Sequence, residues 1–196
     1  MKKIFILLLT VSIIACNNNK PNETTLPDGN GKEKDSIDVK HMQNAADQFQ
    51  KQKDILETLT PLSLDELKTK IPESLLGTTG INVEANDNMG AGLAIGEYEI
   101  SDTSRITLSI YDCAGPAGAG IYSMQFMGLM NIQEENDEEY TKTIDFKGSK
   151  AYEHCNKSDN ECTITYFTGN RFLVTLQGQK VSATALKDAA RRLNIK

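Results

Sequence analysis

Short runs of alternating apolar and polar residues, punctuated by tight-turn residues, constrain this chain more than any other feature. Ile106, Leu108 and Ile110 alternate with Thr107, Ser109 and Tyr111, and Ile81, Val83 and Ala85 alternate with Asn82, Glu84 and Asn86. Ala94, Gly96, Tyr98 and Ile100 mark a strand between them, and Asp102-Thr103-Ser104 is a turn. A period of two puts one residue set on one face of a strand, which favours a half-buried sheet. Four more strands are predicted at about 140–146, 149–155, 162–168 and 171–177, with Phe146-Lys147-Gly148 and Gly169-Asn170 as turns. Connections this short join antiparallel neighbours.

Helical spacing appears elsewhere. Val39, Met42, Ala45, Ala46, Phe49, Leu56 and Leu59 make one apolar stripe, with Lys51, Lys53 and Asp54 outward. This predicts an amphipathic helix over about 37–59, with Ser36 as its N-cap. Ser63-Leu64-Asp65-Glu66 has the form of a capping box and opens a short helix that ends before Pro72. A helix at about 117–131 carries Met124, Phe126, Met127, Leu129 and Met130, and Ser182 caps a last helix through Leu186, Ala189, Ala190 and Leu193. The order ααβββαββββα predicts an α+β domain. Its sheet is antiparallel, of about six or seven strands, with helices on one face and an N-terminal amphipathic helix in front.

The N-terminus reads as an address. Lys2 and Lys3 precede an apolar run from Ile4 to Ala15, too short to span a bilayer, which takes about 20 residues. The run ends in Ile13-Ile14-Ala15-Cys16, which resembles the lipobox of bacterial lipoproteins. That resemblance implies removal of a signal peptide at 1–15 and acylation of Cys16, so that two or three acyl chains hold the protein on a membrane. Asn17-Asn18-Asn19-Lys20 after the cysteine resembles lipoproteins of Bacteroidota and carries neither a retention aspartate nor an acidic export cluster. An outer-membrane lipoprotein facing the periplasm is the expectation. Residues 16–35 then form a lipidated tether, because only Leu26 among 17–35 is apolar. Its r.m.s. reach is roughly 24 Å. Residues 36–196 remain for one domain, with the N-terminal helix in 36–60. Asp35-Ser36-Ile37 resembles the O-glycosylation sequon of exported Bacteroidota proteins, which makes Ser36 a candidate glycosylation site. Ile71-Pro72, Gly90-Ala91-Gly92 and Arg171-Phe172 resemble features of an uncharacterised group of small bacterial envelope proteins, a resemblance that implies no activity.

Charge excludes one broad class. With 21 Lys+Arg against 27 Asp+Glu, the chain lacks the basic face of a nucleic-acid binder. Motifs of catalysis are also missing. There is no G-x-S-x-G elbow, no C-x-x-C and no H-E-x-x-H, so neither metal nor cofactor is expected. His154 and Cys155 are neighbours in a strand and therefore point to opposite faces. The acidic run Glu134–Glu139 reads as a solvated loop, and Met124, Met127 and Met130 read as core filling. Gly115-x-x-Gly118-x-Gly120 lies between a strand and a helix, where backbone N–H groups can hold an anion. A tight turn explains it better, but a ligand loop of Asp112, Gly115, Gly118 and Gly120 is the first place to look for a pocket.

Setting Cys16 aside, three cysteines remain for an oxidising compartment. Cys155 and Cys162 flank a hairpin loop and are the expected disulfide, with Cys113 a buried thiol; a bridge from Cys113 to either is the alternative. The functional expectation is an envelope-anchored binding or accessory module. The alternatives are a hydrolase or redox enzyme using Asp112, Cys113 or His154, and a structural component of an outer-membrane assembly that docks an envelope protein through residues 37–59.

Overall fold

The computed structural model describes residues 35–127 and 132–196. The leader, Cys16 and most of the tether lie outside the described residues, as does the side chain of Ser36. Helix α1 (Asp35–Thr58) leads into α2 (Leu64–Lys68) and a two-stranded ribbon, β1 (Ser74–Leu75) with β2 (Thr78–Thr79). Strands β3 (Ile81–Asn88), β4 (Ala91–Ser101) and β5 (Ser104–Asp112) follow, then α3 (Gly115–Met127). The second half is β6 (Gln133–Glu135), β7 (Glu139–Phe146), β8 (Ser149–Asn156), β9 (Glu161–Thr168), β10 (Phe172–Gln179) and α4 (Ala183–Arg192).

The main sheet has eight strands in the order β3-β4-β5-β10-β9-β8-β7-β6, all pairs antiparallel. It consists of two meanders. The first runs outward-in to β5. The chain then crosses through α3 to the far edge and returns strand by strand, until β10 closes against β5 with Phe172 opposite Asp112. The turns have the expected chemistry. Lys147 and Gly148 both take positive φ (51° and 79°), the backbone that matches the twist of a two-residue hairpin.

Two expectations are corrected. The main sheet has eight strands rather than about six or seven, because β6 lies inside the acidic run. Three residues reading Gln-Glu-Glu carry no alternation, and all are exposed. The acidic segment is thus part strand and part turn, not wholly a loop. The helices also cover both faces rather than one. Leu67, Ile71, Leu186, Ala189 and Ala190 pack with Ile106, Leu108, Ile110, Ile164, Val174 and Leu176 on one side. Leu56 of α1 with Ala119 and Tyr122 of α3 packs on Leu173, Tyr111 and Phe167, which project from the other side. The unbroken apolar triplet Phe172-Leu173-Val174 is the local sign of burial on both faces.

Two of the three expected helix caps form, at Ser63 and Ser182; Ser36 lies inside α1, which begins one residue earlier at Asp35, and is not its N-cap. Ser63 Oγ accepts from the Glu66 N–H (3.3 Å) while Glu66 Oε2 accepts from the Ser63 N–H (2.9 Å). Ser182 Oγ accepts from the Ala185 N–H. At the other end of α4, Lys147 Nζ donates to the carbonyls of Leu193 (2.7 Å) and Ala190 (3.3 Å), tying the β7–β8 turn to the helix C-terminus. Partial burial lowers the pKa of Lys147. Met124 departs from the core reading: it is 68% exposed, because it falls on the outer side of α3. The side chains of Met127 and Met130 lie outside the described residues.

Candidate functional site

Asp112, the expected ligand-loop acid, ends β5 and is only 1% exposed. Every lone pair that the site offers is engaged by the protein. Oδ1 accepts from Arg171 Nε (2.8 Å) and the Ala114 N–H (3.1 Å). Oδ2 accepts from an Arg171 terminal nitrogen (2.8 Å) and the Leu62 N–H (2.7 Å). Arg171 also donates to the Thr60 carbonyl at 2.8 Å. The pair is a bidentate clasp that fastens the α1–α2 connection to the β5–α3 turn and to the start of β10. A carboxylate with four donors already in place has little left for a ligand.

The glycines beside it serve packing. Gly115 takes φ +74° against the ring of Pro61. A Cβ on Gly118 would sit 2.4 Å from the carbonyl carbon of Cys113, so α3 can approach β5 only through a glycine there. A Cβ on Gly120 would meet nothing within 4 Å. Asp112, Gly115, Gly118 and Gly120 therefore build a strand-to-helix corner, and the groove on the α1–α3 side of the sheet is lined by other residues.

Cys113 is a fully buried free thiol among Leu56, Ala119, Tyr122 and Leu173. Burial pushes its pKa up to about 12, with the nearby Asp112 adding to the rise, so the reactive thiolate is suppressed. Cys155 and Cys162 are direct cross-strand partners and lie at disulfide distance, as the hairpin spacing predicts. His154 is on the opposite face from them. Its Nδ1 is 2.9 Å from Thr141 Oγ1 and its Nε2 is 3.9 Å from Glu139. Of the three groups that sequence marked for chemistry, the chain neighbours Asp112 and Cys113 point to opposite faces, one into the clasp and the other into the second core, and His154 lies on the sheet surface.

Sequence reasoning passed over Glu153, which is 1% exposed in β8 beneath α4. Lys142 reaches its Oε1 at 3.0 Å, Tyr140 donates to the same oxygen at 2.9 Å, and Lys187 of α4 lies 2.8 Å from Oε2. The Lys187 contact is an ion pair at hydrogen-bond distance without the angle of a good hydrogen bond. Burial raises the Glu153 pKa, but Lys187, Lys142 and Tyr140 together outweigh it and the net shift is downward. Among the described residues no group of three or more His, Cys, Asp or Glu could hold a metal ion.

A groove of about 700 Å³ lies on the α1–α3 side. It opens where the two helices stop covering the sheet. Its floor is a row of rings from three elements: Phe49 of α1 stacks on Tyr122 of α3 at 5.2 Å, and Tyr122 meets Phe167 of β9 at 4.6 Å. Leu173 completes the floor. Gln48 and Gln52, at helical spacing with Ala45 and Phe49, form one rim. The β7–β8 turn and Asn170 form the other. Gln52 Nε2 donates to the Asn170 carbonyl at 3.0 Å and bridges the two rims. Asp145 and Lys150 pair with each other at 2.7 Å, which leaves the mouth without uncompensated charge. Beyond the groove the same face is polar. Strand register places Thr143, Tyr152, Thr165, Thr175 and Ser109 in one row across five strands.

A weaker signal for this groove was present in the sequence. Phe49 falls in the apolar stripe of the first helix, yet the glutamines flanking it on the same stripe mark a helix face that is not fully buried. No protein-family model matches the chain, and no curated protein or solved structure is detectably similar to it. Among the described residues no helix is long and apolar enough to cross a membrane.

Proposed function

We propose that this protein is a bacterial envelope lipoprotein whose α+β domain acts by binding. In this reading Cys16 carries the acyl chains after removal of 1–15, the outer membrane holds the protein, and the domain faces the periplasm on its tether. The amphipathic helix α1 leads from the tether into the domain, with Phe49 and Leu56 turned inward. The observation that carries the binding role is the groove on the α1–α3 side: ring floor, neutral rim and a volume within the range of small-ligand sites. The dispersal of Asp112, Cys113 and His154 weighs in the same direction, since nucleophilic and acid–base catalysis need their groups within hydrogen-bond reach.

Two experiments test this. Metabolic labelling with an alkyne palmitate should mark the wild type and not Cys16→Ala; labelling that survives the substitution removes the anchor. A photo-crosslinking residue placed at Gln48, on the groove rim, should capture an envelope component that the same residue at exposed Glu99 does not. Equal capture at both positions would remove the groove from the function.

A further inference from the structure

Resting on that binding role, we infer that the groove between α1, α3 and the β7–β8 turn is a saccharide site that takes a neutral, N-acetylated pyranose unit. Three observations point there together. First, the floor is aromatic. Phe49 and Phe167 are half-buried, and a pyranose presents flat C–H faces that suit the electron-rich face of a ring. Second, the rim is made of neutral hydrogen-bonding groups. The side chains of Gln48, Ser149 and Asn170 make no hydrogen bond within the described protein, although all three border the groove. A side-chain amide is donor and acceptor at once, which matches an acetamido group atom for atom, while the acetamido methyl has the rings to rest on.

Third, charge excludes the competing small ligands. Asp145 and Lys150 neutralise each other at 2.7 Å, and the remaining rim is uncharged, so a phosphate or carboxylate head group finds no cation of its own. An acyl chain would cover the rings but strip water from the amides and return no hydrogen bond. A ligand with apolar faces and neutral polar edges satisfies both parts.

The test uses the whole chain in detergent and two soluble probes titrated by calorimetry and by NMR. One is the β-1,4-linked tetramer of N-acetylglucosamine; the other is cellotetraose, which has the same backbone without acetamido groups. The N-acetylated tetramer should bind saturably and shift the resonances of Gln48, Tyr122 and Asn170. Cellotetraose should bind at least about tenfold more weakly, the worth of one or two lost hydrogen bonds. Gln48→Ala and Asn170→Gly should each weaken the tetramer by about tenfold. Both sites are exposed, and glycine keeps the positive φ of residue 170 (52°), so neither variant endangers the fold. No binding of the tetramer overturns the inference, as does binding unchanged in both variants. Laurate entering in its place, with shifts at the same three residues, would also overturn it and mark an acyl site. If the tetramer fails while Gln48 crosslinking remains site-specific, only the saccharide class is lost and the binding role stands.

Discussion

Removing the Asp112 carboxylate should be among the most damaging single changes to this domain. In Asp112→Ala, Arg171 loses two charge-assisted bonds of 2.8 Å, and the N–H groups of Leu62 and Ala114 lose their acceptor. Breaking a buried pair by deleting one partner costs about 3–5 kcal/mol, because the other charge stays without compensation. Arg171 is about one-fifth exposed, so water recovers part of that loss, while the two orphaned N–H groups add to it. A net cost of about 4 kcal/mol follows from these opposing corrections. With a urea m-value of about 2 kcal/mol per molar, the midpoint should fall by about 2 M. The assay is urea unfolding at neutral pH of the chain lacking residues 1–16, followed by far-UV circular dichroism. Asp112→Asn separates charge from shape: it keeps one acceptor but turns an NH₂ group toward two donors, so it should cost nearly as much as alanine. Arg171→Met in the Asp112→Ala background should then recover part of the loss, since it removes the uncompensated charge, less the bond from Arg171 to the Thr60 carbonyl. A midpoint shift below about 0.5 M for Asp112→Ala would refute the clasp as the element that joins the α1–α2 connection to the sheet.

Four further outcomes follow from the same structure. Gly118→Ala should destabilise strongly or prevent folding, whereas Gly120→Ala should be neutral or stabilise by up to about 1 kcal/mol, since one Cβ strikes the Cys113 backbone and the other meets open space; thermal melts check the pair. Folding lowers the Glu153 pKa below its ordinary 4.5, so the contribution of Glu153 is fully present above that value and is lost as pH falls through the folded value. Glu153→Gln should therefore flatten the acid limb of the stability–pH curve below about pH 4.5, and an unchanged acid limb would contradict the network. Reducing the Cys155–Cys162 bridge should cost about 2.5 kcal/mol, as loop-closure entropy predicts for eight residues from Cys155 to Cys162. In the oxidised protein, Cys113 should react with a maleimide only after unfolding.

What was legible in the sequence depended on how local the signal was. Strand alternation at Ile106–Ile110, the Ser63–Glu66 capping box and the Ser182 cap are each set by a few neighbouring residues, and all three appear in place. The Cys155–Cys162 pairing was readable for the same reason: the residues between them close a short hairpin, with Asn156 opposite Glu161, which fixes the distance. Features that depend on distant partners stayed hidden. Nothing near Asp112 announces Arg171, which is 59 residues away, so an ion-paired carboxylate looked like a free one. β6 is a strand only because β7 lies beside it, with Glu134 opposite Thr141. The two-sided covering of the sheet was written in Leu173 and Phe167, but a half-buried sheet is the simpler reading of alternating strands. The groove floor draws Phe49, Tyr122 and Phe167 from three parts of the chain, and only the fold assembles them.

The pairing of β5 with β10 has a consequence for the order of events in folding. The central seam of the sheet joins a strand made early to the last strand made, so β5 has an open edge until nearly the whole chain is available. The first meander cannot complete the core on its own: Leu186, Ala189 and Ala190, which help cover one face, come later still. Such long-range closure is slow and leaves an apolar edge exposed to other chains while it waits. A ribosome that releases this protein piecemeal thus delivers an unfinished sheet. A stop codon before Phe172 would leave two separate half-sheets with no seam to join.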